Sequence, residues 1–149
     1  MASTSLPTPA EILQKFYAAE TVYMASAPSE RDFAGMASTL APDLELHQSP
    51  DLPWGGEFKG HSGFLKWSET MASYFNRLEV TDPQIFEQKD SDAVLVYSTL
   101  KLRVKKNGKE WARPLAQFVR VDRVRGVITE IRPFYWDVKG LKEALEVSD

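Results

Sequence analysis

From Pro9 onward the apolar positions recur with a helical period. Ile12, Phe16, Ala19 and Tyr23 fall on one stripe, and Leu13, Tyr17 and Met24 widen it. Thr8 stands before Pro9 and three positions before Glu11, the arrangement of a capping box with proline in the first turn, so a helix starts here. Residues 1–8 read as a loose lead-in, and residues 26–30 (SAPSE) break the helix. Phe33, Met36, Ala37 and Leu40 then predict a second, short helix that Pro42 ends. Asp43 to Gln48 alternates as a strand, with Leu44 and Leu46 on one face and Glu45 and His47 on the other. A loop rich in turn formers follows (Pro50, Pro53, Gly55, Gly56, Gly60, Gly63) and carries Trp54. A third helix is expected from Ser62 to Asn76, then a strand from Leu78 to Phe86 interrupted at Asp82-Pro83, where proline removes a ladder donor.

The last third is a run of long strands. Ala93–Lys106 and Glu110–Asp122 flank Asn107-Gly108, a pair suited to a two-residue hairpin turn. That turn sets Val104 opposite Trp111, Leu102 opposite Arg113, Leu100 opposite Leu115, Ser98 opposite Gln117, Val96 opposite Val119 and Val94 opposite Val121. One face is thus apolar except for Ser98, Gln117 and Arg113. Burying such groups unpaired is costly, so they either bond one another or border a cavity. The other face carries Leu95, Tyr97, Thr99, Ala116 and Phe118, flanked by Lys101, Arg103 and Arg120, and is a candidate dimer interface. A final strand spans Val127–Trp136. A two-residue loop before it would turn Arg132, Phe134 and Trp136 inward, whereas a bulged loop would turn Ile131, Pro133 and Tyr135 inward. Asp137 caps a closing helix over residues 138–147. The order of elements gives an α+β fold: one domain over residues 1–149, helices on one face of a strongly bent antiparallel sheet.

Composition narrows the chemistry. The 149 residues hold 18 basic and 21 acidic side chains, with no basic stripe to track a phosphate backbone, so nucleic acid is not expected as a partner. No cysteine excludes disulfides and thiolate chemistry, and no apolar run is long enough to cross a membrane, which makes a cytoplasmic protein the expectation. No phosphate loop, dinucleotide fingerprint or nucleophile elbow is present. His47 and His61 have no third ligand near them in sequence, so no metal site is expected.

The candidate site residues follow from placement. His61, at a helix start beside the loop, is the leading acid–base group, able to move a proton at the carbon α to a carbonyl. His47 is a second candidate, although it shares a face with Glu45 and looks outward if Leu44 and Leu46 face the core. Arg113 is placed to hold a developing oxyanion, with Gln117 orienting a carbonyl and Ser98 beside them. Trp54 either covers a flat substrate or plugs the core; Tyr17, Tyr23, Trp67 and Tyr135 supply ring surface and phenol donors. Glu20 on the first helix and Asp51 in the loop are the remaining carboxylates suited to activating water, the requirement of a dehydratase or hydrolase.

A helix pair followed by APDLELHQSP, GEFKGHSGFLKW and GVITEIRPFYWD resembles the SnoaL-like branch of the nuclear-transport-factor-2-like superfamily, over about Pro9 to Asp137. The resemblance implies a cone-shaped α+β barrel whose three helices enclose a deep pocket, usually dimeric, with no cofactor. It implies an isomerase or cyclase acting on polycyclic, phenolic or β-dicarbonyl substrates of the polyketide or xanthone type. Similar ketosteroid isomerases place a carboxylate base at the end of the first strand, where this chain has His47-Gln48-Ser49, and a second acid at the position of Gln117. Similar epoxide hydrolases use an Arg with two Asp; Arg113 matches the Arg, and the inner face lacks the Asp pair. A non-catalytic binding or dimerisation domain is the reading from a different class.

Overall fold

The computed structural model describes residues 5–147; the first half of the expected lead-in lies outside the described residues. Helix α1 (Pro9–Ala25) begins on the capping box: Glu11 N–H donates to Thr8 Oγ1 and Thr8 N–H to Glu11 Oε1, each at 3.1 Å. A 3₁₀ turn (Pro28–Glu30) leads into the single-turn helix α2 (Ala34–Ala37). The second helix is therefore shorter than its apolar spacing predicts. Leu40, Ala41 and Pro42 already belong to strand β1 (Leu40–Gln48), and the missing proline N–H is tolerated at the register shift between Leu40 and Glu45.

The loop after β1 is pinned by its buried Leu52 and Trp54. Gly55 is obligatory there, because a Cβ would lie 2.3 Å from the Ser49 carbonyl oxygen. A short strand β2 (Gly56–Lys59) returns along β1, and helix α3 (Gly60–Tyr74) begins two residues earlier than expected. Strands β3 (Phe75–Glu87), β4 (Ala93–Val104), β5 (Glu110–Asp122) and β6 (Val127–Tyr135) form the meander, and helix α4 (Val138–Leu145) closes the chain. Strand β3 shifts register between Thr81 and Gln84, at the Asp82-Pro83 step, with Asp82 at φ 52°.

The six strands lie in the order β2-β1-β6-β5-β4-β3. The sheet is not wholly antiparallel as expected: β1 runs parallel to β6. Bulges on several strands increase the local twist and bend the sheet around one face. On that concave face α1 packs over β3 and α3 over β1, and the core fills the space between, from Phe16 and Phe64 to Val96, Leu102 and Ile128.

The β4–β5 pairing corrects the expected register by two residues. Val94 faces Val119, Val96 faces Gln117, Ser98 faces Leu115 and Leu100 faces Arg113. The cause is a wider turn: Val104 N–H donates to the Lys109 carbonyl and Gly108 N–H to the Val104 carbonyl, each at 2.8 Å, and Gly108 alone of the pair takes a positive φ (73°). Asn107 instead spends its side chain on the Ala144 carbonyl at the end of α4. An even shift preserves which residues share a face, so the inner and outer sets survive. On β6 a register shift at Arg120/Val121 turns Ile131, Pro133 and Tyr135 inward, the bulged alternative.

Candidate functional site

Between α1, α3 and the concave sheet lies a cavity bordered by Phe16 and Glu20 of α1, Phe64 and Trp67 of α3, and residues of five strands. The strand residues include Leu46 and Gln48 of β1, Leu100 of β4, Leu115 and Gln117 of β5, and Ile131, Pro133 and Tyr135 of β6. The empty space among these side chains, with its open mouth, is about 370 Å³. The clear space within it is small, on the order of one water molecule. The wall is aliphatic and aromatic, with a few polar groups converging on it, the usual character of a small-molecule site.

Glu20 is the carboxyl group of this wall. It sits one turn after Phe16 on the apolar stripe of α1, is 5% exposed, and no hydrogen bond or ion pair reaches its carboxyl among the described residues. Burial pushes its pKa up to about 8, because nothing replaces the water that would solvate the charged form. Glu20 is therefore mostly a neutral acid at pH 7. Around it stand Gln48 and Gln117, both buried. The Tyr17 hydroxyl donates to Gln117 Oε1 at 2.5 Å, which fixes the amide with its N–H₂ free. Burial also holds the Tyr17 and Tyr135 phenols well above their ordinary value, and the nearby Glu20 charge adds to the rise in each.

Of the residues proposed from sequence, Gln117, Trp67 and Tyr135 border this cavity and Tyr17 reaches it through Gln117. The others lie elsewhere. His61 occupies the first turn of α3 and bonds through Nε2 to the Leu40 carbonyl at 2.8 Å, edge-on to Phe33; it ties the helix start to β1 and does not border the cavity. His47 looks outward, because Leu44 and Leu46 face the core; its ring bonds Glu57 through Nδ1 and lies 4.0 Å from Glu130. Arg113 keeps the inward parity but sits where β5 runs past the core: it is exposed, pairs with Asp137 at 3.4 Å and lies over the Trp111 ring. Ser98 is buried within the sheet, donating to the Leu115 carbonyl. Tyr23 packs on Phe33, with Arg31 over its ring. Trp54 plugs the core, 6.1 Å from Tyr135 and 5.5 Å from Phe75, behind the cavity wall.

Of the polar residues of the wall, Gln48 was missed, and Glu20 was named only as a carboxylate suited to activating water. Gln48 shares the parity of Leu44 and Leu46, and Glu20 falls within the apolar stripe of α1, so each is a polar residue where the pattern demands an apolar one. Asp51, the other carboxylate considered, is exposed in the loop.

The SnoaL-like domain family matches residues 14–131. Among curated proteins none matches the sequence. The fold is shared with a Bacillus subtilis protein provisionally assigned as an isomerase (TM-score 0.75, 16% identity, 93% of each chain covered). It is shared with TerC, crystallised with polyporic acid (TM-score 0.73, 20% identity, 92% of this chain and 97% of that one). A Xanthomonas campestris protein provisionally assigned as a polyketide cyclase is also similar (TM-score 0.68, 19% identity, 91% and 92% covered). No helix among the described residues is long and apolar enough to cross a membrane.

The buried carboxyl makes stability depend on pH with a definite sign. Glu20 has a folded pKa raised from 4.5 to about 8, so its neutral form favours the folded state fully below pH 4.5, and that contribution is lost as pH rises through about 8. The Glu20→Gln protein lacks this loss. Its melting temperature, relative to wild type, is expected to rise between pH 4.5 and 8 and level off above, by an amount equivalent to on the order of a few kcal/mol. Parallel melting curves across that range in a pH-resolved thermal melt would show that Glu20 titrates normally.

Proposed function

The chain belongs to the SnoaL-like domain family, and from that premise together with the unpaired Glu20 carboxyl in its cavity we infer that it is a cofactor-independent isomerase or cyclase. Its substrate is an enolisable carbonyl or phenolic compound of polyketide type, drawn into a site walled by apolar side chains. Glu20 is the acid–base group. In its neutral form it gives its proton to the substrate carbonyl oxygen as the enol carbon bonds to the carbonyl carbon; its carboxylate then recovers the proton that the enol oxygen releases. Atoms balance within the substrate, and the product is an isomer. Gln117, held by Tyr17, offers its N–H₂ to the oxygen on which charge develops. Two observations support this reading: the position of Glu20, and provisional isomerase and polyketide cyclase assignments among structural neighbours.

The same neutral carboxyl also suits a dehydratase, by protonating a departing hydroxyl. The two readings separate by product mass, unchanged for an isomerase or cyclase and lower by one water for a dehydratase. With a panel of 1,3-diketones and polyketide-like phenols, Glu20→Gln is expected to cut turnover by about 10²-fold or more, the scale of general acid catalysis. His61→Ala should stay near the wild-type rate, and kcat/KM should fall as pH rises through about 8. Full turnover by Glu20→Gln would remove Glu20 from the chemistry; no conversion of any compound would favour the non-catalytic binding domain.

The outer sheet face supports a homodimer. Phe86, Leu95 and Phe118 align across β3, β4 and β5, and Tyr97, Ala116 and Phe134 align beside them; Phe86, Leu95, Tyr97 and Phe134 are each half-exposed. Light scattering is expected to give twice the chain mass for wild type and the single-chain mass for Phe134→Glu. A monomeric wild type would count against the interface.

A further inference from the structure

On the outer face of the sheet, at the edge formed by β2, β1 and β6, one imidazole stands among carboxylates. The strand register assembles them: Glu57 of β2 faces His47 of β1, and Glu130 of β6 faces Glu45 of β1. Alternation keeps Glu45 and His47 on the same face. The third ligand that the spacing of the two histidines lacks is thus supplied by a strand far along the chain. Glu57 bonds His47 through Nδ1, so in the neutral ring Nδ1 carries the proton and the Nε2 lone pair is left free. Nε2 lies 4.0 Å from Glu130 Oε2, too far for a hydrogen bond. Glu45, His47 and Glu130 each offer one ligand atom, and these atoms all lie within 4.8 Å of one another.

We propose that Glu45, His47 and Glu130 bind one divalent ion of the zinc type, with Glu57 orienting the imidazole and a water in the open fourth position. Zinc takes imidazole nitrogen and carboxylate oxygen at about 2.0–2.2 Å in a tetrahedron, which sets its ligand atoms roughly 3.4 Å apart. Small side-chain rotations bring Nε2 and Glu130 Oε2 to that spacing, and Glu45 is exposed and free to swing. Carboxylates that face each other across a sheet repel, and the neighbouring cations leave this pair uncovered. Arg120 lies 3.6 Å from Glu130 Oε1 but is shared with Asp92, while Lys59 of β2 and Arg132 of β6 form no ion pair among the described residues. A bound cation removes the repulsion and ties β1 to β6. An ion such as magnesium, which prefers oxygen ligands and keeps its waters, gains nothing from the imidazole. The site stands on the face opposite the cavity, so its role is structural and independent of the chemistry proposed for Glu20.

Zinc chloride titrated into the chelator-treated full chain, followed by calorimetry and by thermal melting, tests it. Wild type is expected to take up one zinc per chain and to melt at a higher temperature when saturated, because the ion binds the folded state and not the assembled site's unfolded strands. Magnesium at the same concentration should leave the melt unchanged. His47→Ala and Glu130→Gln should each abolish the zinc response, whereas Glu57→Gln should weaken it by about tenfold, the scale of a partner that orients a ligand. His61→Ala should keep the wild-type affinity, since that ring is held by the Leu40 carbonyl away from this edge. Metal-free melts of every variant, run in parallel, show that each is folded, and Glu130→Gln keeps the side-chain shape if His47→Ala does not fold. No zinc uptake by wild type at millimolar concentration, an equal response to magnesium, or uptake unchanged in Glu130→Gln and His47→Ala would overturn the proposal.

Discussion

A carboxyl group buried against aromatic and aliphatic side chains, with no partner among the described residues, favours its neutral form, and the site is arranged around that constraint. Glu20 occupies a position on α1 that the packing would otherwise give to an apolar residue, one turn after Phe16 and one before Met24. Charging it there means desolvation without compensation, which is why its pKa is pushed up to about 8. The same surroundings bring Gln48, Gln117, Trp67 and Tyr135 to the cavity. Stability is given up at Glu20, and what is gained is a neutral acid on the cavity wall. A fold that closes α1 and α3 over a bent sheet supplies the low-dielectric chamber such a group requires.

Much of the fold was legible because its signals are local or periodic. The capping box at Thr8 needs only four residues, and the inner and outer faces of β4 and β5 follow from alternation that survives an error of two in register. What escaped depended on contacts distant in sequence. Asn107 looks like half of a tight turn but is committed to the Ala144 carbonyl, which widens the hairpin. Leu40 continues the spacing of a helix, yet its residue pairs with Ile128, nearly ninety positions on, and is drawn into the sheet. The parallel pairing of β1 with β6 leaves no mark in either strand.

The candidate site was less legible than the fold, for a related reason. Histidine and arginine draw attention by chemistry, but His61 and Arg113 find partners in Leu40 and Asp137 and are used up by structure. Glu20 and Gln48 are less conspicuous in the sequence, since an isolated polar residue on an apolar stripe reads as a break in the pattern. Their significance lies in the absence of a partner, a property visible only once the chain is folded. His61 and Arg113 hold the fold through their partners, whereas Glu20 borders the cavity without one among the described residues.

The account turns on the protonation state of one side chain. A ¹³C NMR titration of the Glu20 carboxyl carbon, assigned by its loss in Glu20→Gln, reads it directly. An inflection near pH 8 is the result predicted for an unpaired carboxyl buried in the cavity. An inflection near the ordinary value of 4.5 would place the group in contact with water or with a partner, and the neutral-acid mechanism would not stand.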